Sequence, residues 1–204
     1  MVTRVAGILL AAGDGTRLGQ PKATVELGGA TLAERGVRLL RDGGADPVLV
    51  VTGAVPVAVA GALMVANPDW ASGMGTSLAA GLRALAGAGR PAAAVIALAD
   101  QPLIGAEAVR RLIAAHGAGA AVAVAAYDGR PRNPVLIGRA HWPAVLAMAD
   151  GDTGARPFLR AHPGLVTLVE CGDVGSPDDI DTPEDLARVR ARWGPPGGAA
   201  ARYG

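Results

Sequence analysis

A short segment near the start of the chain, residues 5–22, combines an apolar run with glycines and two cations. The run ends in a loop with three glycines within seven residues: Gly13, Gly15 and Gly19. Because glycine has no Cβ atom, the backbone can pass close to a ligand, and free N–H groups in such a turn form a concave nest for anions. Arg17 and Lys22 add positive charge beside the loop. The segment predicts a di- or triphosphate site, with a tight surface turn bearing two solvated cations as the alternative.

Lys22 is distinctive because it is the only lysine in a chain that carries 18 arginines. Lysine is a compact, flexible point charge and arginine is a planar fork, so the two are not interchangeable beside a crowded polyphosphate. The position of this single ammonium next to the glycine loop favours a functional role for Lys22 over a chance placement.

Two carboxylates are candidates for holding a metal ion that would accompany the phosphates. Asp100 directly follows an apolar strand predicted at residues 92–99, and open α/β sheets bind ligands beyond the carboxyl ends of their strands. Asp181 ends the acidic segment 178–181, between the last predicted strand and the last predicted helix. Mg²⁺ prefers one or two carboxylates together with phosphate and water oxygens. The alternatives are a helix-capping role for Asp100 and a solvated loop with a helix cap for the acidic segment.

Strand and helix patterns alternate along most of the chain. The predicted strands cover residues 5–12, 48–52, 63–67, 92–99, 120–127 and 165–170, with an antiparallel return at 132–137. The predicted helices are a capping-box helix from Thr31 to about Arg41, a short one opening at Pro56, one that runs to about Leu85 with Thr76 or Ser77 near its N-cap, one ending near His116, two at 139–148 and 155–160, and a last one starting near Thr182. The turn-rich loop 67–77 is either a second ligand edge or a plain connection.

The alternating pattern predicts the fold class. It is α/β, with a mostly parallel sheet covered by helices on both faces. The expected organisation is a single domain over residues 1–193, followed by a flexible C-terminal tail over residues 194–204.

Composition narrows the function classes. Aromatic residues make up only 3% of the chain, the formal net charge is +1 and no basic stripe is present, so neither nucleic acid nor a membrane surface is an expected partner. The longest apolar runs are too short to span a bilayer, and the N-terminus does not resemble a signal peptide. The single cysteine, Cys171, excludes an internal disulfide and favours a reducing compartment, so a cytoplasmic location is predicted.

An NAD(P)-dependent oxidoreductase is a rival interpretation, because the glycine spacing resembles a dinucleotide-binding turn. Two features oppose it. Pro21 interrupts the helix that such a turn would start, and the second strand ends at Thr52 and Gly53 without an acidic residue or an arginine for the ribose. A non-catalytic nucleotide-binding module is a third alternative.

Several segments, taken in order along the chain, resemble the MobA-like nucleotidyltransferases. The most specific is Leu10-Ala11-Ala12-Gly13-x-Gly15-x-Arg17-x-Gly19-x-x-Lys22. The others are Gly73-Met74-Gly75-x-Ser77-Leu78, Ala99-Asp100-Gln101-Pro102, Asn133-Pro134-Val135, Gly151-Asp152-x-Gly154-Ala155-Arg156 and Asp179-Ile180-Asp181-Thr182-Pro183. The ordered set is similar to the MocA branch of the family, the molybdenum cofactor cytidylyltransferases, and covers most of residues 5–193.

This resemblance implies a Rossmann-like nucleotidyltransferase fold and transfer of CMP from CTP to the phosphate of molybdopterin, with release of pyrophosphate. It implies that Arg17, Lys22 and Asp100 are catalytic, and that Asp100 and Asp181 hold Mg²⁺. The implied nucleotide-binding residues are Leu10, Ala11, Ala12, Gly13, Gly15, Arg17, Lys22, Ser77 and Asp100. The implied partners are CTP, a phosphorylated acceptor such as molybdopterin, and a molybdoenzyme or its chaperone.

Ala12 is the residue that bears on the choice of base. Guanylyltransferases of the MobA type typically have Leu-Ala-Gly-Gly where this chain has Leu10-Ala11-Ala12-Gly13. The additional methyl group is expected to favour cytosine over the larger guanine. Guanylyl transfer and cytidylyl transfer to another phosphorylated small molecule are the alternatives. The chain departs from the MocA pattern at three places, which put the second substrate in question: Gly15-Thr16, Leu18 and Arg132.

Overall fold

The computed structural model describes residues 4–87 and 91–193. Its strands are β1 (Val5–Ala11), β2 (Glu26–Leu27), β3 (Ala30–Thr31), β4 (Val48–Thr52), β5 (Leu63–Ala66), β6 (Ala93–Leu98), β7 (Val122–Tyr127), β8 (Arg130–Gly138) and β9 (Val166–Glu170). Its α-helices are α1 (Leu32–Asp42), α2 (Met74–Gly87), α3 (Ala106–Gly117), α4 (Trp142–Met148), α5 (Arg156–Ala161) and α6 (Pro183–Trp193). Short 3₁₀ turns cover Lys22–Thr24, Trp70–Ser72, Arg139–His141, Gly151–Thr153 and Pro163–Leu165. The tail predicted at residues 194–204 lies outside the described residues.

Seven strands form one sheet in the order β5-β4-β1-β6-β8-β7-β9. Neighbouring strands are parallel except at β8, which runs antiparallel to both β6 and β7. The antiparallel return predicted at residues 132–137 is confirmed in β8, which inserts between β6 and β7. Strands β2 and β3 form a separate antiparallel pair.

Helices cover both faces of this sheet. On one face, α1 and α3 pack against inward side chains such as Leu9 of β1. On the other face, α2, α4 and α5 pack against side chains such as Ile8. Neighbouring residues of a strand point to opposite faces, so β1 contributes to both cores in alternation. The predicted α/β class, with a mostly parallel sheet between two helical layers, is confirmed.

Strand β1 is the point at which the strand order reverses. The chain passes from β1 to β4 and β5 on one side, and then returns through α2 to β6 on the other side of β1. The residues that follow β1 and β6 therefore border a crevice at the carboxyl edge of the sheet, where open α/β sheets bind ligands. The glycine loop follows β1 and Asp100 follows β6, so the topology brings them to the same edge.

The helix predicted to open at Pro56 is wrong. Residues 54–62 form no helix, and side-chain burial alternates along them, with Val57 and Val59 packed against the core and their neighbours exposed. This two-residue period suits an extended chain rather than a helix. The guanidinium of Arg41 bonds the Ala60 carbonyl at 3.3 Å and supports that extended course.

The N-cap predicted near Thr76 or Ser77 is also wrong, because α2 begins at Met74 and both residues lie within its first turn. Gly73, with φ of +111°, turns the chain into the helix. Gly75 then lies against the loop that follows α4, where an added Cβ atom would come within 2.7 Å of a backbone nitrogen. Two glycines thus allow an early start that the turn-rich sequence does not reveal. Within the described residues, no helix has the length and apolar character needed to cross a membrane.

Candidate active site

The crevice between the ends of β1 and β6 holds a cavity of about 480 Å³. The end of β1, the glycine loop, the start of α2 and the end of β6 form most of its wall. The structure brings every residue with a predicted site role into this lining: Leu10, Ala11, Ala12, Gly13, Gly15, Arg17, Lys22, Ser77, Asp100 and Asp181. Their common location is a structural fact, and their individual roles stay predictions.

The glycine loop contains a turn that requires glycine. Gly15 has φ of +66°, and a Cβ atom there would collide with the backbone across the loop. The turn closes when the N–H groups of Leu18 and Gly19 donate to the Gly15 carbonyl at 2.8 and 2.9 Å. The N–H groups of Gly13, Gly15 and Arg17 donate no backbone–backbone hydrogen bond to any described residue. These donors are available to an anion, as the predicted nest requires.

Lys22 lies between two carboxylates. Its Nζ donates to Asp100 Oδ2 at 2.7 Å and to Asp181 Oδ1 at 2.5 Å. Arg17 donates to the other oxygen of Asp181 at 3.0 Å. The alternative role of Asp100 as a helix cap is not observed, because α3 begins at Ala106 with Gly105 as its N-cap. The two predicted metal ligands and the two predicted phosphate-binding cations therefore form one ionic cluster.

Partial burial and opposite charge set the electrostatics of this cluster. Burial alone would lower the pKa of Lys22, but the carboxylates of Asp100 and Asp181 outweigh it, so the pKa of Lys22 is raised. The hydrogen bond from Lys22 holds the pKa of Asp181 below its ordinary value. Near neutral pH, Lys22 and Asp181 are both charged, and the ammonium lies where a cation bound by both carboxylates would lie.

Asp181 reaches the cluster because the segment before α6 is attached to the end of β6. The Ile180 N–H donates to the Asp100 carbonyl at 2.9 Å, and the Ile180 side chain is fully buried in a small core with Leu18 of the glycine loop. On the other side, Asp185 of α6 accepts the Asp181 N–H at 3.1 Å. The residue that follows β6 and the first turn of α6 therefore both limit where the Asp181 carboxylate can lie.

The other aspartates of the acidic segment have different partners. Asp178 pairs with Arg192 of α6 at 2.8 Å. Asp179 accepts a hydrogen bond from Gln101 Nε2 at 2.6 Å, while burial and the charge of Asp100 raise the pKa of Asp179. Within this segment, Asp181 is the carboxylate that lines the cavity.

Ser77 lines the cavity from the first turn of α2 and is 3% exposed. Asn67 Nδ2 donates to Ser77 Oγ at 3.0 Å and to Thr76 Oγ1 at 2.9 Å. Since Ser77 accepts that bond, its own hydroxyl hydrogen is available to a ligand. The sequence does not predict a role for Asn67. The only feature of the sequence that could have indicated one is its position in a turn-rich loop.

Two further lining residues, Trp70 and Asp152, are not predicted from the sequence. Both belong to 3₁₀ turns, and the turn of Asp152 reaches the start of α2 because Gly73 presents no Cβ atom to it. The feature of the sequence that could have indicated Asp152 is the Gly151-Asp152 motif within the ordered set. With Asp152, the lining contains four carboxylates and two cations: Asp14, Asp100, Asp152, Asp181, Arg17 and Lys22. Their formal charge is negative, so a triphosphate requires added positive charge to bind here.

The carboxylates fit a hard divalent cation. Asp100 Oδ1 is buried and accepts no hydrogen bond from any described residue, so it is available as a ligand. No group of three or more His, Cys, Asp or Glu side chains that could hold a metal ion occurs within residues 4–87 and 91–193. A metal ion would therefore depend on Asp100 and Asp181 with phosphate and water oxygens, the ligand set that Mg²⁺ prefers.

The sheet order and the crevice at its switch point place the chain among the Rossmann-like α/β proteins. Residues 7–166 match the family described as the MobA-like NTP transferase domain. This match covers well over half of the chain, which belongs to that family. The resemblance seen in the ordered motifs is thereby confirmed at the level of the family.

Three curated relatives are similar over nearly their whole length. Nicotine blue oxidoreductase of Paenarthrobacter nicotinovorans is 39% identical over 91% of this chain and 96% of its own. Purine catabolism protein PucB of Bacillus subtilis (strain 168) is 32% identical over 90% and 95%, respectively. Molybdenum cofactor guanylyltransferase of Rhodobacter capsulatus is 30% identical over 93% and 96%. The three names do not agree on one activity, so the choice of reaction has to be argued from the site.

Solved structures agree with the fold. The homologue of Mycobacterium tuberculosis Rv0371c from Mycobacterium sp. strain JC1 has a TM-score of 0.79 at 29% identity, over 94% of this chain and 98% of that chain. The 2-C-methyl-D-erythritol 4-phosphate cytidylyltransferase of Thermus thermophilus has a TM-score of 0.68 at 24% identity, over 93% and 98%. At this lower identity, the similarity to the Thermus thermophilus structure shows a shared fold alone.

Proposed function

We propose that this protein is a Mg²⁺-dependent nucleotidyltransferase that transfers CMP from CTP to the phosphate of molybdopterin and releases pyrophosphate. The observation that carries the proposal is the ionic cluster of Arg17, Lys22, Asp100 and Asp181, in one cavity with the free N–H groups of the glycine loop. The loop and cations suit the phosphates, and the carboxylates suit Mg²⁺. Membership of the MobA-like NTP transferase family supports the reaction class.

In the proposed reaction, an oxygen of the acceptor phosphate attacks the α-phosphorus of CTP. A new O–P bond forms, the bond from the α-phosphorus to the bridging oxygen breaks, and pyrophosphate leaves with the bonding electrons. Both reactants are anions, so catalysis depends mainly on positioning and on charge neutralisation. The attacking phosphate is already ionised, so the reaction requires no base from the protein.

Each member of the cluster has a proposed role. Bound Mg²⁺ supplies Lewis-acid neutralisation of phosphate oxygens. Asp100 and Asp181 hold the ion, and Lys22 leaves these carboxylates to bind the phosphates together with Arg17. When the ion replaces Lys22 beside the carboxylates, each charged group of the cluster keeps an oppositely charged partner. This matters because an uncompensated charge in a half-buried site is costly.

Ala12 is proposed to favour CTP over GTP. Ala12 lines the cavity at the position where the guanylyltransferase pattern has glycine. With the same molybdopterin acceptor, we expect the wild type to have a higher kcat/KM for CTP than for GTP. We expect Ala12→Gly to raise the kcat/KM for GTP by about tenfold, since one methyl group in a pocket is worth about 1–3 kcal/mol. Ala6→Gly, in β1 and outside the cavity lining, is the control. Wild-type protein that uses GTP as well as CTP would favour the guanylyl alternative.

The acceptor is proposed from the motif resemblance and from the relative named molybdenum cofactor guanylyltransferase. A molybdoenzyme or its chaperone is the proposed recipient of the product. The proposed location is the cytoplasm, where the buried free thiol of Cys171 would stay reduced. Turnover with a sugar phosphate or alditol phosphate, but not with molybdopterin, would keep the chemistry and change the acceptor.

A second candidate activity is redox chemistry with a nicotinamide dinucleotide. The 39% identity to the relative named nicotine blue oxidoreductase favours it. The glycine loop opposes it, because the first helical turn after β1 is the 3₁₀ turn Lys22–Thr24 and α1 begins only at Leu32. A dinucleotide-binding turn places the pyrophosphate at the N-terminus of a helix that starts within the loop.

Thermal unfolding with different nucleotides separates the two candidates. At about 100 times its dissociation constant, a ligand stabilises the folded state by about 2.7 kcal/mol. For a chain of this size that corresponds to a rise in Tm of roughly 5–10 °C. We expect this rise with CTP and Mg²⁺, and a smaller one with CTP alone because the cavity lining is negatively charged. GTP and ATP are the matched controls, and stabilisation by NADPH alone would support the oxidoreductase.

A further inference from the structure

A short strap, residues 174–181, forms most of the connection between β9 and α6 and lies along residues 100–105, which follow β6. Near one end of the strap, the Ser176 N–H donates to a carbonyl of the post-β6 segment at 3.1 Å. At the other end, the Ile180 N–H donates to the Asp100 carbonyl at 2.9 Å. The three residues before Ile180 make no backbone–backbone hydrogen bond with any described residue. Backbone hydrogen bonds therefore do not hold the middle of the strap, and a side chain has to fix its position.

The side chain of Gln101 supplies that attachment. Gln101 is 4% exposed, and its Nε2 donates to Asp179 Oδ1 at 2.6 Å and to the Pro177 carbonyl at 3.2 Å. Within the described part of the chain, these are the only side-chain hydrogen bonds between residues 100–105 and the strap. Both N–H groups of one buried amide are thus directed to the strap, which limits its position.

Asp179 makes the loss of this contact costly. Asp179 is exposed as a residue, yet burial of its carboxylate and repulsion from the negative charge of Asp100 both raise the pKa of Asp179. Without the Gln101 donor, the Asp179 carboxylate would be left unpaired beside another anion. Movement of the strap away from β6 would relieve this repulsion. Asp181 lies two residues further on, so the same movement would shift its carboxylate relative to Lys22.

We propose that Gln101 is a positioning residue that holds the strap through Asp179 and thereby keeps the Asp181 carboxylate beside Lys22 and Asp100. Gln101 is absent from the cavity lining, so its effect passes through Asp181 rather than through contact with substrate. The consequence for metal binding rests on the proposed function. Removal of residues that orient metal ligands typically weakens metal affinity by about 10–100-fold.

A reciprocal exchange tests this role. Gln101→Glu removes the donor and sets a carboxylate against Asp179. Adding Asp179→Asn restores the hydrogen bond with donor and acceptor reversed, at the net charge of the wild type. Mn²⁺ binding in the presence of CTP, measured by electron paramagnetic resonance, is expected to weaken by about 10–100-fold in the single variant. The double variant is expected to recover most of that loss, since only the bond to the Pro177 carbonyl stays broken.

Arg192→Gln is the matched control, because it breaks the Asp178 pair on the same strap and is expected to leave Mn²⁺ affinity unchanged. Circular dichroism establishes that each variant is folded. A crystal structure of Gln101→Glu is expected to show Asp181 beyond hydrogen-bonding distance of Lys22. Asp181 still bonded to Lys22 in that structure, or a folded double variant without recovery, overturns the proposal. Wild-type protein that binds no Mn²⁺ with CTP contradicts the proposed function, while the position of Asp181 still decides the role of Gln101.

Discussion

Replacement of Asp100 by asparagine is expected to lower kcat for nucleotidyl transfer by about 10²–10³-fold, the range typical of one lost electrostatic contact in a transition state. Asparagine preserves the shape of the side chain but removes the charge that pairs with Lys22 at 2.7 Å. The same charge is proposed to hold Mg²⁺, and a site left with one carboxylate is a poor site for a hard cation. Pyrophosphate release at saturating CTP, acceptor and Mg²⁺ measures the effect.

Asp178→Asn is the matched control for Asp100→Asn. It makes the same chemical change in the acidic segment, but Asp178 pairs with Arg192 and does not line the cavity. We expect it to retain most activity. Asp181→Asn is expected to weaken turnover strongly, because it removes the carboxylate shared by Lys22 and Arg17. Full activity of folded Asp100→Asn would contradict the metal-binding role of Asp100.

Replacement of Lys22 by methionine is expected to change nucleotidyl transfer and metal binding in opposite directions. Turnover should fall by about 10²–10³-fold, because a cation that is proposed to bind the phosphates is lost. Metal binding without nucleotide should become tighter, because the ammonium that contacts Asp100 at 2.7 Å and Asp181 at 2.5 Å no longer competes for them. A variant that weakened both properties would instead indicate general damage to the site.

Two measurements separate these effects. Isothermal titration with Mn²⁺ alone reports the competition, and turnover with CTP and acceptor reports the catalytic role. Lys22→Arg is the charge-preserving control, which is expected to stay impaired in turnover because a planar fork does not replace a point charge there. Its Mn²⁺ affinity without nucleotide should stay close to that of the wild type. Unchanged turnover in both variants would remove Lys22 from the mechanism.

Local chemistry in the sequence determined most of the strands and helices and one half of the site. Apolar runs of strand length alternate with amphipathic helices, and this is enough to predict an α/β sheet with helices on both faces. The glycine loop and Asp100 could be assigned to the same edge because carboxyl ends of parallel strands share one side of a sheet. The ordered motifs predicted the family, since they depend on residue identity and not on distance in space.

Tertiary structure alone decided how the cluster is assembled. Lys22 and Asp181 are 159 positions apart, and they meet because Ile180 is buried beside Leu18 and bonded to the end of β6. Propensity and periodicity act over a few residues, so they carry no information about such a contact. For the same reason, packing between distant segments decided three further features. These are the insertion of β8 between β6 and β7, the early start of α2 at Met74 and the position of Asp152 in the cavity wall.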